Sequence, residues 1–220
     1  MRVTPFQPRL EILPPAQRRL WTELRAQLPS CFVLYGGTAL ALRMGGRESE
    51  DFDFFANDPV DAHDLVSALP FLKGAELIQA APSTATFLID RQGRVKVSFF
   101  GGLSLGRVGE VSICEDSNVG VASLLDLAAQ KIRVVQVRAE RKDYLDLMTL
   151  MQQGITLSQA LGAASALYPD FAPLVSLKAL SYFADGDLAS LPAETARALS
   201  NAAASVRTID EVVLLSDRLT

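Results

Sequence analysis

A change of hydrophobic period part-way along the chain limits its fold more than any other feature. Short apolar runs dominate the first half, and from Val121 onward the apolar residues recur at helical spacing. Cys31 to Tyr35 is a continuous apolar run ended by Gly36-Gly37, a buried strand entering a tight turn. Asp51 to Ala56 alternates acid and aromatic, as a strand with one polar face does. Thr84 to Asp90 and Arg94 to Phe100 read as two strands joined by the hairpin signal Arg91-Gln92-Gly93. Three early segments are helical instead: Pro15 to Leu28, with Leu20, Trp21, Leu24 and Leu28 on one face; Thr38 to Met44, stopped by Gly45-Gly46; and Asp61 to Leu69. In the second half one helix face carries Leu124, Leu125, Ala128, Ile132 and Val135, and another Tyr144, Leu147, Met148 and Met151, with breaks at Pro169, Pro173, Gly186 and Pro192. Strands before helices define an α+β chain: an α/β core over residues 1–120 and a helical part over 121–220.

Composition removes whole classes of function. The 220 residues carry a formal net charge of −4, so the chain is no globally basic nucleic-acid coat, although a local basic site is compatible with it. Cys31 and Cys114 are too few for a disulfide scaffold, and both lie in apolar stretches, which predicts buried thiols in a reducing compartment. With His63 as the single histidine, zinc chemistry of the His-rich or Cys/His type lacks ligands. The first ten residues contain no apolar leader, and the longest apolar run falls short of the ~20 residues of a membrane span. A soluble, cytoplasmic protein is expected.

Gly102-x-Ser104-x-Gly106 imitates a hydrolase nucleophile elbow, but His63 precedes the serine and no helix is predicted after it. No phosphate loop of the G-x-x-x-x-G-K-[ST] kind is present. His63, between Asp61 and Asp64, reads as a surface residue.

The stretch from Leu34 to Phe55 carries more. Asp51 and Asp53 are two apart on a strand, so both carboxylates leave one face while Phe52 and Phe54 enter the core. Paired carboxylates repel, and a hard divalent cation relieves the repulsion. The Gly36-Gly37 turn at a helix start offers backbone N–H groups to phosphate, and Thr38 a hydroxyl. A polar edge strand after an ordinary turn would look the same in either half; the two halves joined by about a dozen residues are more specific. A second patch gathers Lys131, Arg133, Arg138, Arg141 and Lys142 before Asp143 and Asp146, which share a helix face. Solvated ion pairs, such as one from Lys142 to Asp146, would account for it equally well.

The two blocks together, Gly36-Gly37-Thr38 with Asp51-x-Asp53 and Lys131 with Arg141-Lys142-Asp143-x-x-Asp146-Leu147, resemble the AbiEii/AbiGii-type nucleotidyltransferase toxins of the polymerase-β-like superfamily. The likeness runs from about Phe32 to about Pro192, where Leu180 to Asp185 is similar to a helix end of that family. It implies a small mixed β-sheet flanked by helices, with the helical half closing over a nucleotide, and transfer of a nucleoside monophosphate from an NTP to RNA or another acceptor. It further implies Mg2+ (or Mn2+) on Asp51 and Asp53; phosphate on Gly36, Gly37 and Thr38; triphosphate charge balanced by Lys131 and Arg141; and Asp143 or Asp146 orienting the acceptor or acting as base. A cognate antitoxin is the partner it suggests. Many relatives in that superfamily take a third carboxylate from a later strand, where this chain offers Ser98. Either Asp143 or Asp146 completes the metal site, or that site is weaker, or the domain binds nucleotide without turning it over and acts through a partner protein.

Overall fold

The strands of the first half join one eight-stranded mixed sheet, in the order β1-β7-β8-β2-β3-β6-β5-β4. They are β1 Thr4–Phe6, β2 Val33–Tyr35, β3 Asp51–Phe55, β4 Glu76–Ala81, β5 Thr84–Asp90, β6 Arg94–Phe100, β7 Ser112–Cys114 and β8 Gly120–Val121. The computed structural model describes residues 4–220; the first three residues of the segment read for a leader lie outside it. Three helices belong to this half: α1 Pro15–Gln27, α2 Gly36–Met44 and α3 Ala62–Ala68. The alternation of β3 decides the layering. Phe52 and Phe54 are fully buried, with Phe99 and Val97 of the neighbouring β6, and Trp21 of α1 stacks on Phe52 at 6.0 Å between ring centres. Each such side chain contributes about 1.5–3 kcal/mol by leaving water. Asp51 and Asp53 therefore emerge on the opposite face.

Five helices follow: α4 Leu124–Val134, α5 Arg141–Gln152, α6 Leu157–Leu167, α7 Pro173–Ala179 and α8 Ala193–Ser205. Pro173 opens α7 at its first position, where its missing N–H is not needed. Thr156 and Gln159 cap α6 reciprocally. The chain divides into two compact units. One runs through Gly106 and takes in Glu110–Ser123 and Ser216–Thr220; the other comprises Arg107–Gly109 and Leu124–Leu215. Leu127, Ile132, Leu147, Leu150 and Leu161 form the buried centre of the helical unit.

Several expectations are corrected. Helix α2 begins at Gly36 itself, two residues earlier than propensity suggests. Cys31 is exposed, because it occupies the turn that leads into β2 and projects outward; Cys114 is buried, and burial pushes its thiol up to about 12. The chain after Ser205 is not helical: Asp210 is held beside α6 by Ser158, whose hydroxyl donates to its carboxylate at 2.7 Å. At the sheet's edge, β4 exposes all six residues, Leu77 and Ile78 among them, and its ladder with β5 is bulged between Leu77 and Gln79. Among the described residues no helix is long and apolar enough to cross a membrane.

Candidate functional site

Strand pairing brings the glycine turn onto the acidic strand. β2 runs antiparallel to β3 with Tyr35 beside Asp53, and Gly36 follows with φ of +75°, where other residues are strained. A Cβ at Gly36 would stand 2.6 Å from Asp53 Oδ2, so only bare backbone fits against that carboxylate. A Cβ at Gly37 would stand 2.7 Å from Arg47 Nη2 and 2.8 Å from Ser49 Oγ, which places a guanidinium and a hydroxyl at the helix start. Thr38 is 1% exposed, and its hydroxyl donates to the Asp51 carbonyl. Gln17 of α1, equally buried, donates from Nε2 to Thr38 Oγ1 at 3.2 Å. Thr38 thus ties the turn to β3 instead of reaching toward phosphate.

On the other side of β3, β6 runs parallel, with Asp51 beside Lys96 and Asp53 beside Ser98. Lys96 Nζ lies 2.8 Å from Asp51 Oδ2. Buried Ser98 accepts from Thr86 Oγ1 of β5 at 3.3 Å, so a neutral hydroxyl occupies the β6 position next to Asp53 and a second one the β5 position beyond it. Asp51 and Asp53 present two carboxylates from one face of β3, a pair of hard oxygen donors of the kind Mg2+ or Mn2+ takes, with the Gly36 backbone close against Asp53. Gln17, Arg47 and Lys96 escaped the motif reading. Only the strand register shows Lys96 beside Asp51; the alternation within Arg94–Phe100 puts Lys96 and Ser98 on one face but names no partner strand.

In the helical unit Lys131, Asp143 and Asp146 do come together. Lys131 Nζ is 2.7 Å from Asp143 Oδ1 and 2.7 Å from Asp146 Oδ2, and all three are buried. Arg138 completes a fork on Asp143, with Nε 2.8 Å from Oδ2 and Nη2 3.1 Å from Oδ1. Burial alone would raise the Asp143 carboxyl, but the Arg138 and Lys131 charges outweigh it and hold it below the usual range. Such a carboxylate is a poor proton acceptor and a good anchor for two cationic heads. Lys142 pairs with Glu140 at 2.9 Å, not with Asp146. The Arg141 backbone N–H donates to Asp187, while its buried Nε has no hydrogen-bond partner.

Elsewhere, Asp61, His63 and Asp64 hold potential ligand atoms within 4.8 Å of one another, all exposed; Asp61 accepts the His63 and Asp64 N–H groups as the cap of α3. Ser104 has no helix behind it, so the elbow pattern is coincidental.

The family described as "Nucleotidyl transferase AbiEii toxin, Type IV TA system" matches residues 19–210. An uncharacterized Aquifex aeolicus protein is 30% identical over 157 residues, covering 70% of this chain and 74% of its own. In fold the chain is similar to the nucleotidyltransferase toxin MenT4 of Mycobacterium tuberculosis, with a TM-score of 0.57, 13% identity and coverage of 86% of this chain and 84% of that one. It is similar also to a candidate nucleotidyltransferase of H. pylori, with a TM-score of 0.55, 21% identity and coverage of 84% and 91%. With the match spanning both the sheet and most of the helical unit, the chain belongs to the AbiEii nucleotidyltransferase toxin family.

Proposed function

We propose that this chain is a cytoplasmic, divalent-metal-dependent enzyme that moves a nucleoside monophosphate from an NTP to an RNA acceptor, releasing pyrophosphate, and that an antitoxin protein restrains it. The observation that carries the reading is the seating of the Gly36 backbone directly against Asp53, which joins a phosphate cradle to a carboxylate pair. Asp51 and Asp53 would hold Mg2+ or Mn2+, which when bound supplies charge neutralisation at the reacting phosphate and the leaving pyrophosphate. The Gly36 and Gly37 N–H groups at the start of α2 bind phosphate oxygens with the favourable end of the helix dipole. Gln17 and Thr38 hold that turn in register with β3. Lys131 and Arg141 are the cations of the helical unit assigned to the triphosphate, and Asp143 and Asp146 position Lys131. Phosphoryl transfer asks mainly for positioning and charge balance, which these groups supply.

Incubating the purified chain with Mg2+, total RNA and each α-labelled NTP should move label onto RNA with at least one NTP, and Asp53→Asn should abolish it. Absence of label with all four NTPs would overturn the RNA-directed reading.

A further inference from the structure

We propose that Lys96 is a tethered counter-ion which pairs with Asp51 in the ligand-free protein and passes to a phosphate oxygen of the nucleotide when the metal binds. The proposal rests on the reading of Asp51 and Asp53 as the metal pair.

Lys96 stands beside Asp51 by strand register, and its ammonium lies 2.8 Å from the carboxylate. The pair is not a structural one. The two side chains are 42% and 34% exposed, in contrast to the buried Lys131 cluster, so water can replace either partner cheaply. Lysine also swings: its charge rides on a flexible four-carbon stem with three rotatable donors. Neighbouring strands are about 4.8 Å apart, so the backbones of β6 and β2, on either side of β3, lie about 10 Å apart. A phosphate chain held at the Gly36 turn and extending across β3 meets that stem part-way.

Charge counting decides the direction of the coupling. Lys96 offsets one of the two carboxylate charges, and a divalent cation that takes both carboxylates leaves Lys96 displaced from its partner. Metal alone is therefore opposed by Lys96. Metal with a triphosphate is favoured by it, because the freed ammonium finds a new anion. Lys96 makes the binding of metal and of nucleotide depend on each other, and the dependence is reciprocal. The third carboxylate absent at Ser98 sharpens the effect, since no further negative charge on β6 holds the cation by itself.

Calorimetric titration tests this with two probes: Mg2+ alone, and the α,β-methylene analogue of each NTP in saturating Mg2+. Lys96→Met keeps the stem and removes the charge. It should bind Mg2+ alone roughly two- to fivefold tighter, the range of an exposed ion pair. It should bind the analogue on the order of tenfold more weakly, as for a lost hydrogen bond from a charged donor. Lys96→Gln should shift both in the same directions, and circular dichroism confirms folding of each. Opposite signs for the two probes support the proposal. Equal affinities in wild type and both variants, or a parallel weakening for both probes, overturn it. Asp53→Asn separates the levels: if it abolishes Mg2+ binding while the Lys96 variants change nothing, the metal site stands and the counter-ion falls. If Asp53→Asn leaves Mg2+ binding intact, the metal assignment falls and takes the counter-ion with it.

Discussion

Replacing Asp143 with asparagine keeps its shape and deletes one charge from a cluster in which Lys131 and Arg138 balance Asp143 and Asp146. The variant leaves one surplus positive charge around Lys131, which is only 4% exposed. Breaking a buried ion pair costs about 3–5 kcal/mol. The low end applies, because Asp146 stays 2.7 Å from Lys131 and Arg138, 43% exposed at its side chain, can turn to water. A loss of about 3 kcal/mol corresponds to roughly 6–12 °C in Tm for a chain of this size. Urea unfolding followed by circular dichroism at neutral pH measures it. The pH dependence supplies a second check. Asp143 titrates below its ordinary 3.8 when folded, so the folded state binds fewer protons than the unfolded one in the window beneath that value. Its contribution is complete above that window and is lost as pH falls through the folded value. The gap between wild type and Asp143→Asn should therefore narrow in acid. A neutral-pH loss below about 1 kcal/mol, or a gap that stays constant into acid, would refute the assignment of Asp143 as a charged anchor.

Two further variants probe the sheet side. Gly36→Ala forces φ of +75° on a residue with a Cβ, costing about 1–2 kcal/mol, and drives Asp53 from its place; Mg2+ affinity should fall on the order of tenfold, and unchanged Mg2+ binding would show that the Gly36–Asp53 contact is incidental. Ser98→Asp places a third carboxylate beside Asp53 and removes the contact with Thr86, so the metal-free protein should lose about 1–3 kcal/mol while Mg2+ binds more tightly. Thermal melts with and without Mg2+ read both signs together, and a stability and affinity both unchanged would place Ser98 outside the site.

What the sequence reveals here depends on how locally each element is determined. Trp21 and Leu24 on one helix face, the alternation of Asp51 to Phe55, and the hairpin around Gln92 and Gly93 are written within a few residues each. They appear in the structure as α1, β3 and the β5–β6 pair. By contrast, β1, β7 and β8 are two or three residues long and exist because they pair with one another and with β2. Nothing within Thr4–Phe6 or Gly120–Val121 announces such partners. The same limit applies to the site. Asp51 and Asp53 are evident from their spacing, whereas the Asp51–Lys96 pair needs the parallel register of β3 and β6, a crossover relation that no local pattern encodes. The Lys131 cluster was half legible: Asp143 and Asp146 three apart predict one face, but Arg138 lies before the helix starts and folds back onto Asp143.

The bulge in β4 bears on how this molecule behaves in a crowded cell. An outer strand with unpaired backbone groups, here carrying Leu77 and Ile78 at the surface, is a template on which another chain could extend the ladder. A bulge between Leu77 and Gln79 interrupts the regular spacing of those groups and increases the local twist, so a flat incoming strand finds no continuous register. Glu76, paired with Arg94 at 2.6 Å, adds charge at the same rim. An irregular residue and a charged pair thus guard this edge together, and straightening β4 would leave a longer, regular ladder open to another strand.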